Sequence, residues 1–158
     1  MLDDCKDNRE RWQAVEGLLQ SWLKERRDVL VKYTTIAAIL ESRADRPPLE
    51  FGLQGLCQVL VDYVSAGHFE IFHELIREAE AFADGSDKLA NELIPSIGDT
   101  TEVILGFDEK YVSAADHPES LGADLSLLGE VLESRFQLED RLIAVLHRSH
   151  ASSQTAPA

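Results

Sequence analysis

Much of what marks a secreted, membrane-bound or nucleotide-binding protein is missing from this chain. Two cysteines in 158 residues, Cys5 and Cys57, are too few and too isolated for a disulfide framework or a zinc site. Cys57 lies in an apolar helical run where a small hydrophobe serves, and both are expected as free thiols. No stretch approaches the roughly 20 apolar residues of a membrane span. The N-terminal MLDDCKDNRERW is charged where a secretory leader would turn apolar, so the cytoplasm is the expected compartment. No GxxxxGK loop offers a cradle for phosphate, and no strand-like alternation competes with helix. Positive charge is also scarce: 15 Lys and Arg against 29 Asp and Glu leave a net charge of -14. That balance opposes direct binding to nucleic acid and favours a basic protein partner. Solubility alone accounts for it until a partner is argued independently. What is basic is local, with Lys24, Arg26 and Arg27 close together.

What is present is helical periodicity. A hydrophobic content of 44% fills a sizeable core, and one domain over residues 1–148 is expected. From about Asn8 to Leu40, Trp12, Val15, Leu19, Trp22, Val29, Leu30, Tyr33, Ile36 and Leu40 recur at helical spacing, interrupted by Arg26. ESRADRPPLE breaks the pattern, and Pro47-Pro48 suits the first turn of the next helix. The second column carries Leu53, Leu56, Leu60, Tyr63 and Val64, then Phe69, Phe72, Leu75, Ile76, Ala79 and Phe82. A third, capped by Ser86 or Asp87 and kinked or delayed by Pro95, runs to Tyr111. His117-Pro118 marks the last junction, and Leu121 to Leu146 carry the fourth stripe. Residues 149–158, polar and small, are predicted to be a disordered tail. Columns of about 30 residues, each spanning roughly 45 Å, predict an all-α, antiparallel up-down four-helix bundle.

The densest chemistry lies at Leu60 to Phe69, LVDYVSAGHF, where an apolar helix carries an acid and then Gly-His-Phe. Gly67 weakens a helix interior, so the column is predicted to break or kink between Ser65 and His68. Such a place reads as a site or a junction. Four polar residues fall on apolar stripes, and Arg26, Asp62, Arg135 and Glu139 are expected at similar heights, as a buried ion-pair layer that fixes helix register. Two arginines matched to two acids neutralise their own chemistry.

Metal and phosphoryl chemistry fit less well. A di-iron bundle wants two Glu-x-x-His pairs and further glutamates, whereas this chain has one pair, Glu70 and His73. His68, His117, His147 and His150 are not spaced to complete it. No metal or other cofactor is expected. A histidine phosphotransfer or metal-binding bundle protein using His68 or His73 is the alternative reading, although Asp62 and Glu70 near His68 would repel a phosphate.

Three blocks carry a resemblance: WLKERRDVLVKY at Trp22 to Tyr33, LVDYVSAGHFEIFHEL at Leu60 to Leu75, and LESRFQLEDRLI at Leu132 to Ile143. In order and spacing they resemble the Rsd/AlgQ family, regulators of sigma D. The N-terminal DxCxxxxERW and AFADG are more similar to the AlgQ branch. The resemblance implies a non-enzymatic anti-sigma factor that binds region 4 of the primary, sigma-70-type factor. It would keep that region from core RNA polymerase and from the promoter -35 element, with no direct contact to nucleic acid or membrane. It also points to Asp62 and Phe69 as interaction residues, with Tyr63 and His68 as weaker candidates by proximity. For Asp62 the ion-pair layer remains the alternative, and for Phe69 core packing. Trp22, Arg26, Arg135 and Glu139 match the family blocks as scaffold. Self-association of the free protein through the same patch is left open.

Overall fold

Helix α1, Asn8–Ser42, buries Val15, Leu19, Trp22, Val29 and Ile36 along one side, and these steps of three, four and seven residues keep one stripe facing inward. The computed structural model describes residues 7–42, 46–112 and 119–151. Helix α2, Arg46–Ala66, opens with Pro47 and Pro48 in its first turn, where a missing N–H leaves no helical bond unmade. A π turn, Gly67–Ile71, leads directly into α3, Phe72–Phe82. That column ends at Ala83, whose left-handed φ of 54° lets its N–H return to the carbonyls of Ala79 and Glu80. Helix α4, Asp87–Tyr111, runs through the exposed Pro95, and α5, Leu121–Leu146, is followed by a 3-10 turn, Arg148–His150.

The contacts fix the topology. Trp22, midway along α1, donates its indole N–H to the Tyr63 carbonyl late in α2 (3.1 Å), whereas Ile36 near the end of α1 lies against Gly52 early in α2. Tyr33 donates to the Leu125 carbonyl (2.8 Å), and Trp12 to that of His147 (2.9 Å), so α1 is antiparallel to α5 as well. Helices α4 and α5 pair in the same sense through Lys110 with Asp124 and Arg135 with Ile97. The result is an antiparallel four-helix bundle in which α2, the π turn and α3 form one column. Its interior is sealed by residues such as Leu19, Leu56, Leu60, Leu75, Ile104 and Leu142, all essentially without exposure. Each contributes about 1.5–3 kcal/mol of burial. No helix among the described residues is long and apolar enough to cross a membrane.

The interruption expected near Gly67 takes the form of a π turn: the Phe72 N–H bonds the Gly67 carbonyl five residues back, so the helix widens for one turn and continues. The packing also explains the glycine, since a Cβ there would stand 3.1 Å from Trp22 Cζ2 and 3.4 Å from Phe72 Cζ. At the other end, Ser149 to Ala151 are helical rather than a tail, and His150 is buried. Cys5, residues 43–45, His117-Pro118 and residues 152–158 lie outside the described residues. Cys57 is a free, buried thiol, pushed up to about 12 by burial and by Asp108 beside it.

Candidate functional site

Asp62 and Tyr63 are chain neighbours with opposite fates. Roughly 100° per residue separates them around α2, enough to place one in water and the other in the core. Tyr63 is fully buried and donates its hydroxyl to Glu139 Oε1. Glu139 also accepts from Arg135 Nε at 2.9 Å and lies 3.4 Å from Arg26 Nη1. Arg135 continues the network into α4, giving Nη1 to Thr101 Oγ1 (2.6 Å) and Thr100 Oγ1 (3.1 Å). Its guanidinium lies over the Tyr63 ring at 5.4 Å and the Phe72 ring at 5.9 Å. Arg26, at the edge of the layer, pairs with the exposed Asp140 at 2.8 Å and covers the Phe136 ring at 5.0 Å.

Burial raises the Glu139 carboxyl, and the two arginines and the Tyr63 hydroxyl oppose that rise. Burial, and then Glu139, push the Tyr63 hydroxyl well above its ordinary value. Each charged group here has its charge met by a neighbour, and the set ties α1, α2, α4 and α5 at one height. Its inner members, Tyr63, Arg135 and Glu139, are fully buried.

The opposite face of the same column is open. Glu25 and Asp28 of α1, with Val59 and Asp62 of α2, line a shallow cleft of about 210 Å³. Glu25, Asp28 and Asp62 are exposed, and Glu70 on the π turn is partly so. Burial raises the Glu25 carboxyl, and the charges that then bear on it are all carboxylates, those of Asp62, Glu70 and Asp28. Asp62 accepts two bonds from Gln58 Nε2, each 3.2 Å, which hold its carboxylate without neutralising it. Beside Glu70, Phe69 stands 77% exposed, its ring edge-on to that of exposed His68 at 4.9 Å. An acidic cleft, with an uncovered phenyl ring next in the chain to the nearby Glu70, suits a partner with both positive charge and an apolar contact.

The residues predicted from sequence therefore divide. Arg26, Arg135 and Glu139 come together in the layer, but Asp62 stands outside it. Tyr63, expected near the contact surface, is buried inside the layer. Phe69 is not packed in the core, and His68 shares its surface. Glu25 and Asp28 were missed. Their three-residue spacing on the α2 side of α1 was a usable signal only once it was known which helix covers that side. The buried pair Glu78 and His147 was missed as well, because 69 residues separate them in the chain. Glu70 is partly buried and His73 exposed, and among the described residues no three His, Cys, Asp or Glu side chains converge on a metal position.

The comparisons with known proteins agree in direction. Residues 1–147 match the family model described as "Regulator of RNA polymerase sigma(70) subunit, Rsd/AlgQ". The chain is similar to the "Regulator of sigma D" of Yersinia enterocolitica serotype O:8 / biotype 1B, with 32% identity covering 90% of this chain and 88% of that protein. It is likewise 32% identical to the "Regulator of sigma D" of Yersinia pseudotuberculosis serotype O:1b, over 100% of this chain and 96% of that one. With the protein of that name from Salmonella arizonae it shares 35% identity, over 92% and 91%. No solved structure gives a significant match. A match over nearly the whole chain, carried by an all-helical fold with the quoted blocks in place, makes this protein a member of the Rsd/AlgQ family.

Proposed function

We propose that this protein is a non-enzymatic anti-sigma factor, acting in the cytoplasm by stoichiometric binding to region 4 of the primary, sigma-70-type factor. The relatives' name, regulator of sigma D, supports a sigma factor as the partner. The observations that carry the choice of surface are the 77% exposure of Phe69 and, beside its chain neighbour Glu70, the carboxylates of Glu25, Asp28 and Asp62. Region 4 is a basic helix-turn-helix module whose recognition surface otherwise meets the phosphates of DNA. A chain of net charge -14 presents the same sign of field, and the carboxylates orient the encounter while Phe69 supplies burial. Occupied in this way, region 4 is withheld from the promoter -35 element and from core RNA polymerase. Regulation then needs no bond to be made or broken.

The test is reconstitution with a purified region 4 fragment. Gel filtration should give a complex of equal stoichiometry, and adding this protein should release region 4 from -35 DNA and from core polymerase. Failure to form the complex at low ionic strength would overturn the reading.

A further inference from the structure

Tyr63 and Phe72 stand on either side of the π turn and meet the same two partners. The Trp22 indole stacks on the Tyr63 ring at 5.3 Å and takes the Phe72 ring edge-on at 5.7 Å. The Arg135 guanidinium lies over both rings as well, at 5.4 and 5.9 Å. Yet the two residues are nine apart in the chain, and nine steps of about 100° would leave them on opposite sides of an unbroken α-helix. Eight steps would bring them within about 80° of one another, on one stripe. The column therefore holds one residue more between them than the core uses. We propose that this surplus residue in Gly67–Ile71 serves to place Phe69 on the partner-binding face, so that the π turn is a positioning element of that site; this rests on the function proposed above.

The burial pattern shows the same displacement. In the first half of the column Leu53, Leu60 and Gly67, then Leu56 and Tyr63, then Cys57 and Val64 are buried at intervals of seven. Continued unchanged, that repeat would turn Glu70 and Arg77 inward after Leu56 and Tyr63, but both are only partly buried. The buried apolar residues are instead Ile71, Phe72, Leu75 and Ala79, each fitting the repeat one residue late. Gly67 lets the inner side of the turn stay thin, because a Cβ there would stand 3.1 Å from Trp22 Cζ2. With Trp22 closing the inner side, the added backbone goes outward. His68 and Phe69 are the exposed residues of the turn.

The consequence for the site is one of angle. Phe69 follows Asp62 by seven residues, close to two full helical turns, which carries its ring along the side of α2 that bears Asp62. Its 77% exposure agrees. Without the surplus residue the same core would place Phe69 six residues after Asp62, about 120° away around the axis and at the flank of the buried stripe. A phenyl ring there is drawn toward the core rather than offered to a partner. One extra residue lets Phe69 keep the register of α2 while α3 takes the register of the core, which is what a π turn inside a helix can do and a plain α turn cannot.

Deletion of His68 from the full chain tests this. The shortened column should fold as a continuous α-helix, keep ring NOEs from Trp22 to both Tyr63 and Phe72, and melt no earlier than the parent. An unfolded variant, or loss of either set of NOEs, overturns the surplus residue. Binding to the region 4 fragment should fall by about 30-fold, the loss expected of Phe69→Ala. In the shortened chain Glu70 becomes the seventh residue after Asp62, so adding Glu70→Phe there should regain at least about tenfold by returning a phenyl ring to that face. A deletion that binds like the parent, or a Glu70→Phe addition that regains nothing, overturns the positioning role. A parent that binds no region 4 overturns the function proposed above and the positioning role with it, whereas the NOEs and the melting curve decide the surplus residue on their own.

Discussion

Within one turn of α2 the protein contrasts two ways of handling charge. In the Tyr63 layer, carboxylate and guanidinium are taken out of water and each receives partners from other helices. On the Asp62 face, carboxylates from α1, α2 and the π turn are left in water beside one another, with a phenyl ring at their edge. The first arrangement spends burial on register and leaves nothing for a partner to meet. The second leaves like charges together, which costs a little stability and keeps a surface ready for a positive one. Sealed charge serves the scaffold, and exposed unneutralised charge near an exposed aromatic is what the proposed binding surface is built from.

The sharpest way to break that contrast is Glu139→Ala, which strands Arg135 in the core without its carboxylate. It should cost about 3–5 kcal/mol of folding stability, read by thermal or denaturant unfolding, while sigma region 4 binding measured in the cold survives. On the open face the effects should reverse. Phe69→Ala should weaken binding by roughly 2 kcal/mol and Asp62→Ala by at least roughly 1 kcal/mol, measured by calorimetry. Their unfolding curves should move by no more than about 0.5 kcal/mol. Variants that melt early yet bind normally would return these residues to the scaffold.

Gly67→Ala tests the junction between the two regions. Its new methyl meets Trp22, which is itself held between Tyr63 and Phe72, so crowding of about 1–3 kcal/mol outweighs the roughly 1 kcal/mol of helix propensity gained. A net loss near 1 kcal/mol is expected in unfolding, and a stabilised variant would mean that the wide turn has room to relax.

Salt should weaken binding of the parent, chiefly through the association rate, since exposed charges are screened over about 10 Å at 0.1 M. Salt-independent affinity would leave the acidic cleft with solubility alone. The smallest effect is expected at Asp124, an acid that has found a cation. Lys110 and then Tyr111 hold its carboxyl below the ordinary aspartate range. Its contribution is therefore present above the ordinary aspartate range, and is lost as pH falls through the folded value. Asp124→Asn should flatten that acid limb slightly and leave binding unchanged, whereas a binding defect would extend the interface to the α4–α5 end.

How far the chain could be read without its structure differs by region for physical reasons. The four stripes, the prolines opening α2 and the unusual content of Leu60 to Phe69 all depend on spacing along one helix, and spacing is a local property. Burial follows the same rule for Arg135 and Glu139, which sit four residues apart on the stripe of α5. Phe69 did not follow it. Counted forward from Val64 at about 100° per residue it points roughly 140° away, but counted back from Phe72 it rejoins the stripe. The π turn, which adds a residue to one turn, decides between the two.

Asp62 shows the same limit from another side. Its charge matched the layer, yet its angle on α2 turns it to Gln58 and water. The amino-acid sequence by itself determined the helices, their amphipathic sides and the excess of acid. Only the tertiary structure decided which charges were sealed and which stayed open. It alone brought Glu16 and Glu78 to His147, because contacts between distant segments depend on the mutual rotation and height of packed helices.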